Sequence, residues 1–510
     1  MSILLTTLNA RFAHASLALR YLYANMLELQ GQTSIVEFTI QQNVEDILEC
    51  IIQHDPRIVG FSVYIWNIVE TTQLIQELKL LRPDITIIIG GPEVSYEYED
   101  TAIYNAADYL IKGWGEISFY QLCRQLINNQ IITQKAITGI QQKLENITLP
   151  YRYYTDHDIK HRTVYIEASR GCPFKCEFCL SSLDKTAWSF PLDPFLTEMD
   201  LLYQRGLRQF KFIDRTFNLK KEFTTRILEF FLNKIANHPE EPLFLHFELV
   251  PDHLPDELKA LILLFPDGSL QFEIGIQTLN PETQVLISRK TNIKKAQENI
   301  RWLSTKTTVH LHVDLIAGLP AETLEDFANG FNELWSWQPQ EIQLGILKRL
   351  KGTPIIRHTE AFQYKYSHIP PYSVLENKTM SFSTLNHIKR IAKFWDLIAN
   401  SGRFKHTLPL FLNQDAFAAI SEFTTWAFPK VNQTHGIAFD KLFALVFDYL
   451  QNYTAHTLSI IQQAMQQDFI RIGTHGWPKF LGTPPDNWKE QLINKTKQKS
   501  LPKRQQQHTS

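Results

Sequence analysis

The sequence predicts an α/β protein built from a Rossmann-like domain, a partial (β/α)6 barrel and a mostly helical C-terminal domain. In the first two thirds of the chain, short strand-like runs alternate with amphipathic helical stretches, which is typical of parallel sheets covered by helices. Beyond about residue 356 the strand-like runs become rare, and aromatic-rich helical patterns take their place. The length of 510 residues agrees with three domains of roughly 150 residues each.

Residues 1–135 form the first predicted domain. Its strand-like runs are "SILLTTL", "SIVEFTI", "RIVGFSV", "DITIIIG" and "ADYLIKG". Ligands of such sheets bind beyond the carboxyl ends of the strands. Here that edge carries residues 9–16, 62–67, 90–93 and 113–116. We therefore expect any ligand of this domain to lie against these four loops.

Residues 163–355 repeat the alternation and form the second predicted domain, after a polar segment, 136–162, that we interpret as a linker. Its six strand-like runs are "TVYIEAS", "RQFKFID", "LFLHFEL", "LQFEIGIQ", "VHLHVDLIAGLP" and "EIQLGIL". Functional groups of such a barrel lie at the carboxyl ends of its strands. Residues 356–495 are predicted to form the helical domain, and the basic, polar residues 496–510 a disordered tail.

The composition excludes several classes of function. The chain is 44% hydrophobic and 20% charged with a formal net charge of -2, which favours neither nucleic acid nor an anionic membrane as a partner. No apolar run reaches the ~18 residues that span a bilayer, and the N-terminus has no signal-peptide pattern. We therefore expect a cytoplasmic protein with no membrane or nucleic-acid partner.

Three of the five cysteines lie within eight positions, in "GCPFKCEFC" directly after the first barrel strand. In a reducing compartment such a cluster indicates metal binding rather than disulfides. Cys172, Cys176 and Cys179 could hold three irons of a cubane cluster and leave the fourth iron open. A structural zinc site that adds His161 or His157 is the alternative. Phe178, between the last two cysteines, either shields the cluster or packs.

The segment "GCPFKCEFC" resembles the signature of radical S-adenosylmethionine (SAM) enzymes. Further segments resemble other motifs of that family in the expected order: "HFELVPD", "FEIGIQTLNPETQVLISRKT", "VDLIAGLPAET" and "ILKRLKGTP". The resemblance covers about residues 163–355. Several motifs in the right order make a more specific signal than any one of them alone.

The resemblance implies that SAM chelates the open iron and that the reduced cluster cleaves it to a 5'-deoxyadenosyl radical. Glu248 and Asp314 would then hydrogen-bond the ribose or the amino group of SAM, with Gln277 beside them. Arg289 would pair with the methionyl carboxylate, since a guanidinium binds a carboxylate bidentately. In "FIDRTFN", Asp214 resembles the acidic residue that accepts the amino group in cobalamin-linked members. For each charged residue the alternative is a structural ion pair.

Residues 1–135 resemble the cobalamin-binding domain of one large radical SAM subgroup. The matching segments are "VGFSVYIWN", "IIIGGPEVS" and "ADYLIKGWGEISFYQL". The resemblance places Ser62, Gly90 and Gly91 at the corrin or its nucleotide tail. The Asp-x-His-x-x-Gly motif that supplies a lower axial histidine is absent, and His14 is out of pattern, so we expect it to serve as a loop hydrogen-bonder. A Rossmann-like domain without cofactor, or a nucleotide-binding domain, is the alternative.

The family resemblance implies a radical SAM enzyme that uses cobalamin to transfer a methyl group to an unactivated carbon. Rearrangement or cyclisation, radical SAM chemistry without cobalamin, and a non-enzymatic metal-binding module remain alternatives. Expected cofactors are a 4Fe-4S cluster, SAM and cobalamin, and the expected partners are an electron donor such as flavodoxin or ferredoxin and a small-molecule or peptide substrate. No catalytic residue beyond the cofactor contacts is assigned. The third domain resembles an uncharacterised helical extension found in some of these enzymes.

Overall fold

The computed structural model describes residues 2–412, 414–472, 476–485 and 488, so the predicted tail, 496–510, lies outside the described residues. The chain divides into two compact units. The first unit comprises Met1–Arg215, Lys348–Ile356 and Ser367–Ser373, and the second comprises Thr216–Leu347, Arg357–Tyr366 and Val374–Ser510.

The first unit contains an N-terminal sheet of six parallel strands, ordered β2-β1-β3-β4-β5-β6. The strands are β1 (Ile3–Asn9), β2 (Thr33–Thr39), β3 (Ile58–Ser62), β4 (Thr86–Gly90), β5 (Tyr109–Lys112) and β6 (Ala136–Thr138). The helices are α1 (Leu17–Ala24), α2 (Val44–Gln53), α3 (Ile68–Leu81), α4 (Ala102–Ala106) and α5 (Glu116–Ile127). The five predicted strands and the parallel sheet are confirmed, whereas β6 was not predicted.

This sheet is covered on both faces, which explains why its central strands β3 and β4 are mainly apolar. Successive side chains of a strand point to opposite faces. In β1, Leu4 and Leu8 belong to the core that includes α2 and α3. Ile3 and Leu5 belong to the core that includes α1 and α5. The strand order reverses between β1 and β3, and in such sheets the crevice at that point receives the ligand.

A buried ionic network fixes the loop after β1. Arg20 on α1 pairs with Glu37 on β2 and with Asp158, at 2.8 Å each. Arg162 pairs with the same two carboxylates at 3.0 Å. Glu37 also accepts hydrogen bonds from the Asn9 side chain and the Ser16 backbone, which bracket the loop. The segment that we interpreted as a linker is therefore anchored to the N-terminal sheet through Asp158.

The rest of the first unit begins the second strand–helix series. Its elements are α6 (Asp156–His161), β7 (Tyr165–Ile166), β8 (Ser169–Arg170), β9 (Trp188–Ser189), α7 (Leu192–Gln204) and β10 (Gln209–Phe212). β7 and β10 pair in parallel, and β8 and β9 form a short antiparallel hairpin. The cysteine cluster lies between the two strands of this hairpin, so the hairpin closes the base of the cysteine loop.

The second unit contains four parallel strands in the order β14-β13-β12-β11. Its elements up to the last of these strands are α8 (Lys221–Asn237), β11 (Phe244–Leu249), α9 (Asp256–Ile262), β12 (Leu270–Gln277), α10 (Pro281–Leu286), α11 (Ile293–Lys306), β13 (His310–Ala317), α12 (Leu324–Trp335) and β14 (Glu341–Ile346). With β7 and β10, all six strands predicted for residues 163–355 are present, and the α/β fold class of this region is confirmed.

The C-terminal part of the second unit is mostly helical, as predicted. It consists of a hairpin, β15 (Lys365–Tyr366) and β16 (Val374–Glu376), and of α13 (Phe382–Trp395), α14 (Leu408–Phe411), α15 (Ala416–Val431), α16 (Phe439–Tyr453) and α17 (Leu458–Ile472). A π-helical turn, Asp396–Asn400, follows α13. The Asn400 side-chain amide donates one hydrogen bond to the backbone of Ile342 in β14 and accepts another from it. These bonds satisfy backbone groups that a neighbouring strand would otherwise pair. Among the described residues, no helix is long and apolar enough to cross a membrane.

The buried network makes the stability of the first unit depend on pH. Burial disfavours ionisation of Asp158, but the Arg20 charge and hydrogen bonds from Thr155 outweigh it and lower the pKa of this carboxyl to about 2. We expect Asp158→Asn to destabilise the fold by about 3 kcal/mol at pH 7, because it leaves buried guanidinium charge uncompensated. A carboxyl with a lowered native pKa stabilises above its unfolded pKa of about 4 and loses that contribution as the pH falls toward 2.

Urea unfolding of wild type and variant at pH 7 and pH 3 measures this difference, which should shrink at the lower pH. Asp84→Asn is the control, since Asp84 pairs with Arg82 but its side chain is 63% exposed, and surface ion pairs contribute little. An equal loss of stability at both pH values for Asp158→Asn would contradict the assignment.

Candidate functional site

The cysteine loop, residues 171–187, contains hydrogen bonds between its own residues. Cys172 and Cys176 are buried, and Cys179 is half-buried. The Ser182 hydroxyl donates to the carbonyl oxygens of Cys176 and Cys179, at 2.9 and 2.7 Å. Burial raises the pKa of the Cys172 thiol, and the nearby thiols of Cys179 and Cys176 raise it further. That these three thiols bind one cluster stays a prediction.

The residues named for a zinc alternative lie on α6. The rings of His157 and His161 contact each other at a tilt of 49° with centroids 4.9 Å apart, and His157 also contacts the ring of Phe12. Within the part of the chain that the structure describes, no three His, Cys, Asp or Glu side chains converge on a point where they could hold a single ion. Phe178 is half-buried in the cysteine loop.

A cavity of about 830 Å³ lies at the carboxyl edge of the N-terminal sheet. Small-molecule and cofactor sites in proteins measure about 300–1,000 Å³. All four loops that the sequence placed at this edge contribute to its wall, among them Ser62, Gly90 and Gly91. The cavity therefore lies where the reversal of strand order predicts a ligand.

Two glycines at this edge, Gly91 and Gly113, differ in the space around their Cβ positions. At Gly91 (φ +116°) a Cβ would meet the Val63 carbonyl oxygen at 2.4 Å, so the packing of the backbone alone requires glycine there. At Gly113 (φ +76°), which also lines the cavity, no atom of the described residues beyond its two chain neighbours lies within 4 Å of the Cβ position. Gly113 thus leaves room for a ligand to approach the backbone.

Aromatic and histidine side chains form another part of the cavity wall. Tyr64 and Trp66 stack with centroids 4.3 Å apart directly after β3. His14 lines the cavity, and its Nδ1 lies 2.7 Å from the Tyr165 hydroxyl. The hydrogen bond predicted for His14 is thus present. Burial, together with the positive charges of Lys211, Arg11 and Arg162, lowers the pKa of His14.

The segment that resembles a closing strand of the family folds against the rim of the same cavity. Lys351 pairs with the buried Glu93 at 3.2 Å, and the Tyr372 hydroxyl donates to the same carboxylate at 2.6 Å. Arg349 pairs with Glu97 at 2.5 Å. These contacts fix the loop after β4, whose Ser95 and Tyr96 line the cavity.

Asp214 follows β10 and lies in the interior of the first unit, only 2% exposed. Its carboxylate accepts hydrogen bonds from the Ser169 hydroxyl at 2.5 Å and the Ala168 backbone at 3.0 Å. Burial exceeds the effect of these bonds and raises the pKa of Asp214 to about 7. In this geometry Asp214 ties β10 to the strand that leads into the cysteine loop, and its role as an amino-group acceptor stays a prediction.

In the second unit, three neighbouring strands bring the other predicted SAM contacts to one edge. Glu248 lies opposite Glu273 in the β11–β12 register, and Asp314 lies opposite Gly275 in the β12–β13 register. The register shifts between Gly275 and Gln277, where Gln277 has a left-handed backbone with φ of +73°. Such bulges and strained residues re-aim side chains and cluster at functional sites.

The Gln277 side chain folds back over Gly275. Its Nε2 lies only 2.2 Å from where a Cβ of residue 275 would be, and the Arg289 guanidinium donates to the Gly275 carbonyl oxygen. The Oε1 of Gln277 is buried and finds no hydrogen-bond partner among the residues that the structure describes. Gln277 and Arg289 thus both lie at Gly275. The motif resemblance places Gln277 beside Glu248 and Asp314, and the roles of all four residues toward SAM stay predictions.

Sequence reasoning missed a charged histidine beside Asp314. His312 Nε2 lies 3.2 Å from Asp314 Oδ1, and its Nδ1 lies 3.4 Å from Glu341 Oε2. Burial disfavours the imidazolium, but the two carboxylates outweigh it and raise the pKa of His312 to about 10. His310 also contacts Glu341, at 2.8 Å. The signal was available, because residues two apart on a strand share a face, and "HLHVD" places both histidines on the face of Asp314.

Three family models match consecutive stretches of the chain. They are "B12 binding domain" over residues 3–122, "Radical SAM superfamily" over residues 166–334 and "Protein of unknown function (DUF4080)" over residues 360–509. This order confirms the resemblance inferred from the motifs. Radical SAM domains bind SAM and a 4Fe-4S cluster, and B12-binding domains bind cobalamin, so the predicted cofactors are those of the matched families.

Curated relatives match only part of the chain. The "Uncharacterized methyltransferase PH0819" of Pyrococcus horikoshii is 26% identical over 233 residues, which cover 40% of this chain and 50% of that protein. The "Ribosomal protein uS12 methylthiotransferase RimO" of Phocaeicola vulgatus is 26% identical over 172 residues, which cover 33% of this chain and 40% of that protein. The chain thus spans about half the length of the first relative and less of the second.

Solved structures share the fold at low sequence identity. The radical SAM methyltransferase TsrM from Kitasatospora setae, with cobalamin and a [4Fe-4S] cluster bound, gives a TM-score of 0.57 at 15% identity, covering 75% of this chain and 79% of that one. The cobalamin-dependent SAM radical enzyme OxsB gives a TM-score of 0.62 at 11% identity, covering 97% of this chain and 83% of that one. At such identities the likeness concerns the fold.

The glycine at position 275 offers a test of the SAM contacts in the second unit. In Gly275→Ala the added methyl group displaces the Gln277 side chain, and we expect SAM to bind about tenfold more weakly, or about 1.4 kcal/mol. Gly330→Ala is the matched control, because a Cβ there meets Leu279 at an ordinary 3.7 Å. Anaerobic calorimetry measures SAM binding to the cluster-loaded form of both variants. An unchanged SAM affinity in Gly275→Ala would show that Gln277 does not contact SAM.

Proposed function

We propose that this chain, which belongs to the radical SAM proteins with an N-terminal B12-binding domain, transfers a methyl group to an unactivated carbon of its substrate. The reaction would use a 4Fe-4S cluster on Cys172, Cys176 and Cys179, SAM, and cobalamin in the cavity of the first unit. Together these cofactors supply reductive cleavage of SAM and a transferable methyl group, while the protein supplies binding and orientation. The methyltransferase names of PH0819 and TsrM support this choice of reaction.

The observation that carries the proposal is the composition of the cavity wall. Loops from the carboxyl ends of β1, β3, β4 and β5 form one side, and Arg170, Leu180, Leu183 and Asp184 of the cysteine region form another. A methyl-carrying cofactor in this cavity would therefore be adjacent to the loop that binds the cluster. Such adjacency is what a reaction shared by two cofactors requires, because reacting groups gain most from being held together.

The residues of the cavity are compatible with cobalamin. Ser62 and the backbone at Gly90 and Gly113 would contact its amide rim or nucleotide tail. The apolar surface of Tyr64 and Trp66 would lie against the corrin plane, as flat aromatic side chains commonly do against flat ligands. An external one-electron donor such as flavodoxin or ferredoxin would reduce the cluster.

In the second unit, the charge of His312 supports the role proposed for Asp314. An imidazolium 3.2 Å from Asp314 Oδ1 and 3.4 Å from Glu341 Oε2 favours the ionised form of a carboxyl group beside it. An ionised Asp314 accepts hydrogen bonds, as binding of ribose hydroxyls or of an ammonium group requires. His312 would act as a positioning residue and would not itself contact SAM.

Product analysis tests the proposed activity. The anaerobically reconstituted protein, supplied with cobalamin, SAM and a strong reductant, should form 5'-deoxyadenosine and S-adenosylhomocysteine. Cys176→Ala should lose both the bound iron and the deoxyadenosine. Cys123→Ala is the control, since Cys123 is buried in the core of the N-terminal domain, where burial raises the pKa of its thiol. Full iron content in Cys176→Ala, or no deoxyadenosine from wild type, would contradict the proposal.

The absent histidine motif leads to a spectroscopic prediction. We expect the cobalt of bound cob(II)alamin to have no nitrogen ligand from the protein, because His14 lies outside the motif and hydrogen-bonds Tyr165. Electron paramagnetic resonance of samples made with ¹⁴N- and ¹⁵N-labelled protein measures this directly. The cobalt spectrum should be identical in the two samples and unchanged in His14→Phe. A superhyperfine pattern that changes with the isotope of the protein would overturn the expectation.

A further inference from the structure

We propose that Trp114, Arg170 and Asp184 form a clamp that couples the cavity of the first unit to the cysteine loop. Cobalamin and the cluster would then each bind more tightly when the other is present. The proposal rests on the proposed function, because it assumes that the cavity receives cobalamin. Trp114 and Asp184 are positioning residues in this arrangement, since neither is among the cluster ligands.

The first contact of the clamp joins the N-terminal domain to the cysteine loop. Trp114 follows β5 and is buried, with 9% of its surface exposed. Its indole Nε1 donates a hydrogen bond of 2.9 Å to Oδ2 of Asp184. These residues are 70 positions apart in the chain, so the bond exists only while the cysteine loop lies against the end of β5.

Asp184, which accepts the Trp114 hydrogen bond, is also bonded to the backbone that carries the cysteines. Its backbone carbonyl oxygen accepts the Cys172 N–H at 2.9 Å. Its Oδ1 accepts the Thr186 N–H at 3.0 Å, and the Thr186 hydroxyl donates to the Arg170 carbonyl oxygen at 3.2 Å. Asp184 therefore connects the two ends of the loop, and a shift of its side chain moves the backbone that presents Cys172.

Arg170 fixes the other side of the clamp. Its guanidinium pairs with Glu116 at the start of α5, at 2.7 Å, and with Glu167 at 2.9 Å. The same group lies over the Trp114 ring, 4.6 Å from its centroid, and near the ring of Tyr21 at 5.1 Å. A buried charge with two carboxylate partners has one strongly preferred position, because moving it would leave charges unpaired.

All three clamp residues belong to the cavity wall, together with Leu180 and Leu183 of the cysteine loop. A ligand that fills the cavity must therefore contact them and restrict their motion. A cluster bound to the loop restricts the same residues from the other side. When the first ligand orders an element that both ligands contact, the second ligand binds at a lower entropic cost. Each ligand then raises the affinity for the other by the same factor.

The test measures cobalamin affinity in two forms of the full chain. Hydroxocobalamin is titrated anaerobically into the cluster-free protein and into the reconstituted protein, with bound corrin followed by equilibrium dialysis. Wild type should bind it at least about fivefold more tightly when the cluster is present, the lower end of typical couplings. In the reciprocal measurement, hydroxocobalamin should slow the loss of iron to a chelator.

Variants separate coupling from ordinary packing. Trp114→Phe keeps a ring beneath Arg170 but removes the Nε1 donor, and Asp184→Ala removes the acceptor from the other side. Each variant should still bind cobalamin and iron. Its cobalamin affinities in the cluster-free and cluster-loaded forms should lie within about twofold of each other. The double variant should show no further change in this ratio. Trp302→Phe is the control, since Trp302 lies on α11 outside the clamp, and it should keep the wild-type ratio.

Three results would overturn the proposal or its premise. Equal cobalamin affinity in the cluster-free and cluster-loaded wild type would refute the coupling while leaving the proposed function intact. An undiminished ratio in both Trp114→Phe and Asp184→Ala would show that these residues do not carry it. Failure of both wild-type forms to bind hydroxocobalamin would instead refute the proposed function, and the coupling with it.

Discussion

Parallel pairing in the N-terminal sheet brings the ends of β1, β3, β4 and β5 to one edge, and the cavity of the first unit depends on this meeting. Each of these strands is followed by a loop, and the four loops lie far apart in the sequence. Backbone hydrogen bonding fixes the strands in register, so the loops have little freedom in where they begin. The reversal of strand order between β1 and β3 places a crevice at this edge, and the cavity lies there.

Buried charge holds the parts of the first unit around that crevice. Arg20 and Arg162 share the carboxylates of Glu37 and Asp158, while Arg170 bridges Glu116 and Glu167. Burying a charge costs several kcal/mol unless it is paired, so such networks tolerate few alternative arrangements. Their main contribution here is geometric, because they fix the loop after β1 and the strand before the cysteines with respect to the N-terminal sheet.

The second unit uses charge in a different way. Carboxyl groups lie on four neighbouring strands, from Glu248 on β11 and Glu273 on β12 to Asp314 on β13 and Glu341 at the start of β14, and like charges on adjacent strands repel one another. His312, placed between Asp314 and Glu341, counters this effect by carrying a positive charge. Together with the strained backbone at Gln277, this arrangement holds polar groups in fixed orientations before any ligand is present, as preorganised sites require.

The sequence by itself determined β1–β5, β7 and β10–β14, the cysteine cluster and the order of the three matched regions, because these depend on local patterns of apolar residues and short motifs. It also identified the four loops of the cavity, since parallel strands followed by loops have one edge in common. It did not reveal β6, the bond between Trp114 and Asp184, or the partners of Arg170 and His312. Those contacts join residues that no local pattern relates, and only the packing of strands and helices decided which of the many polar side chains would meet.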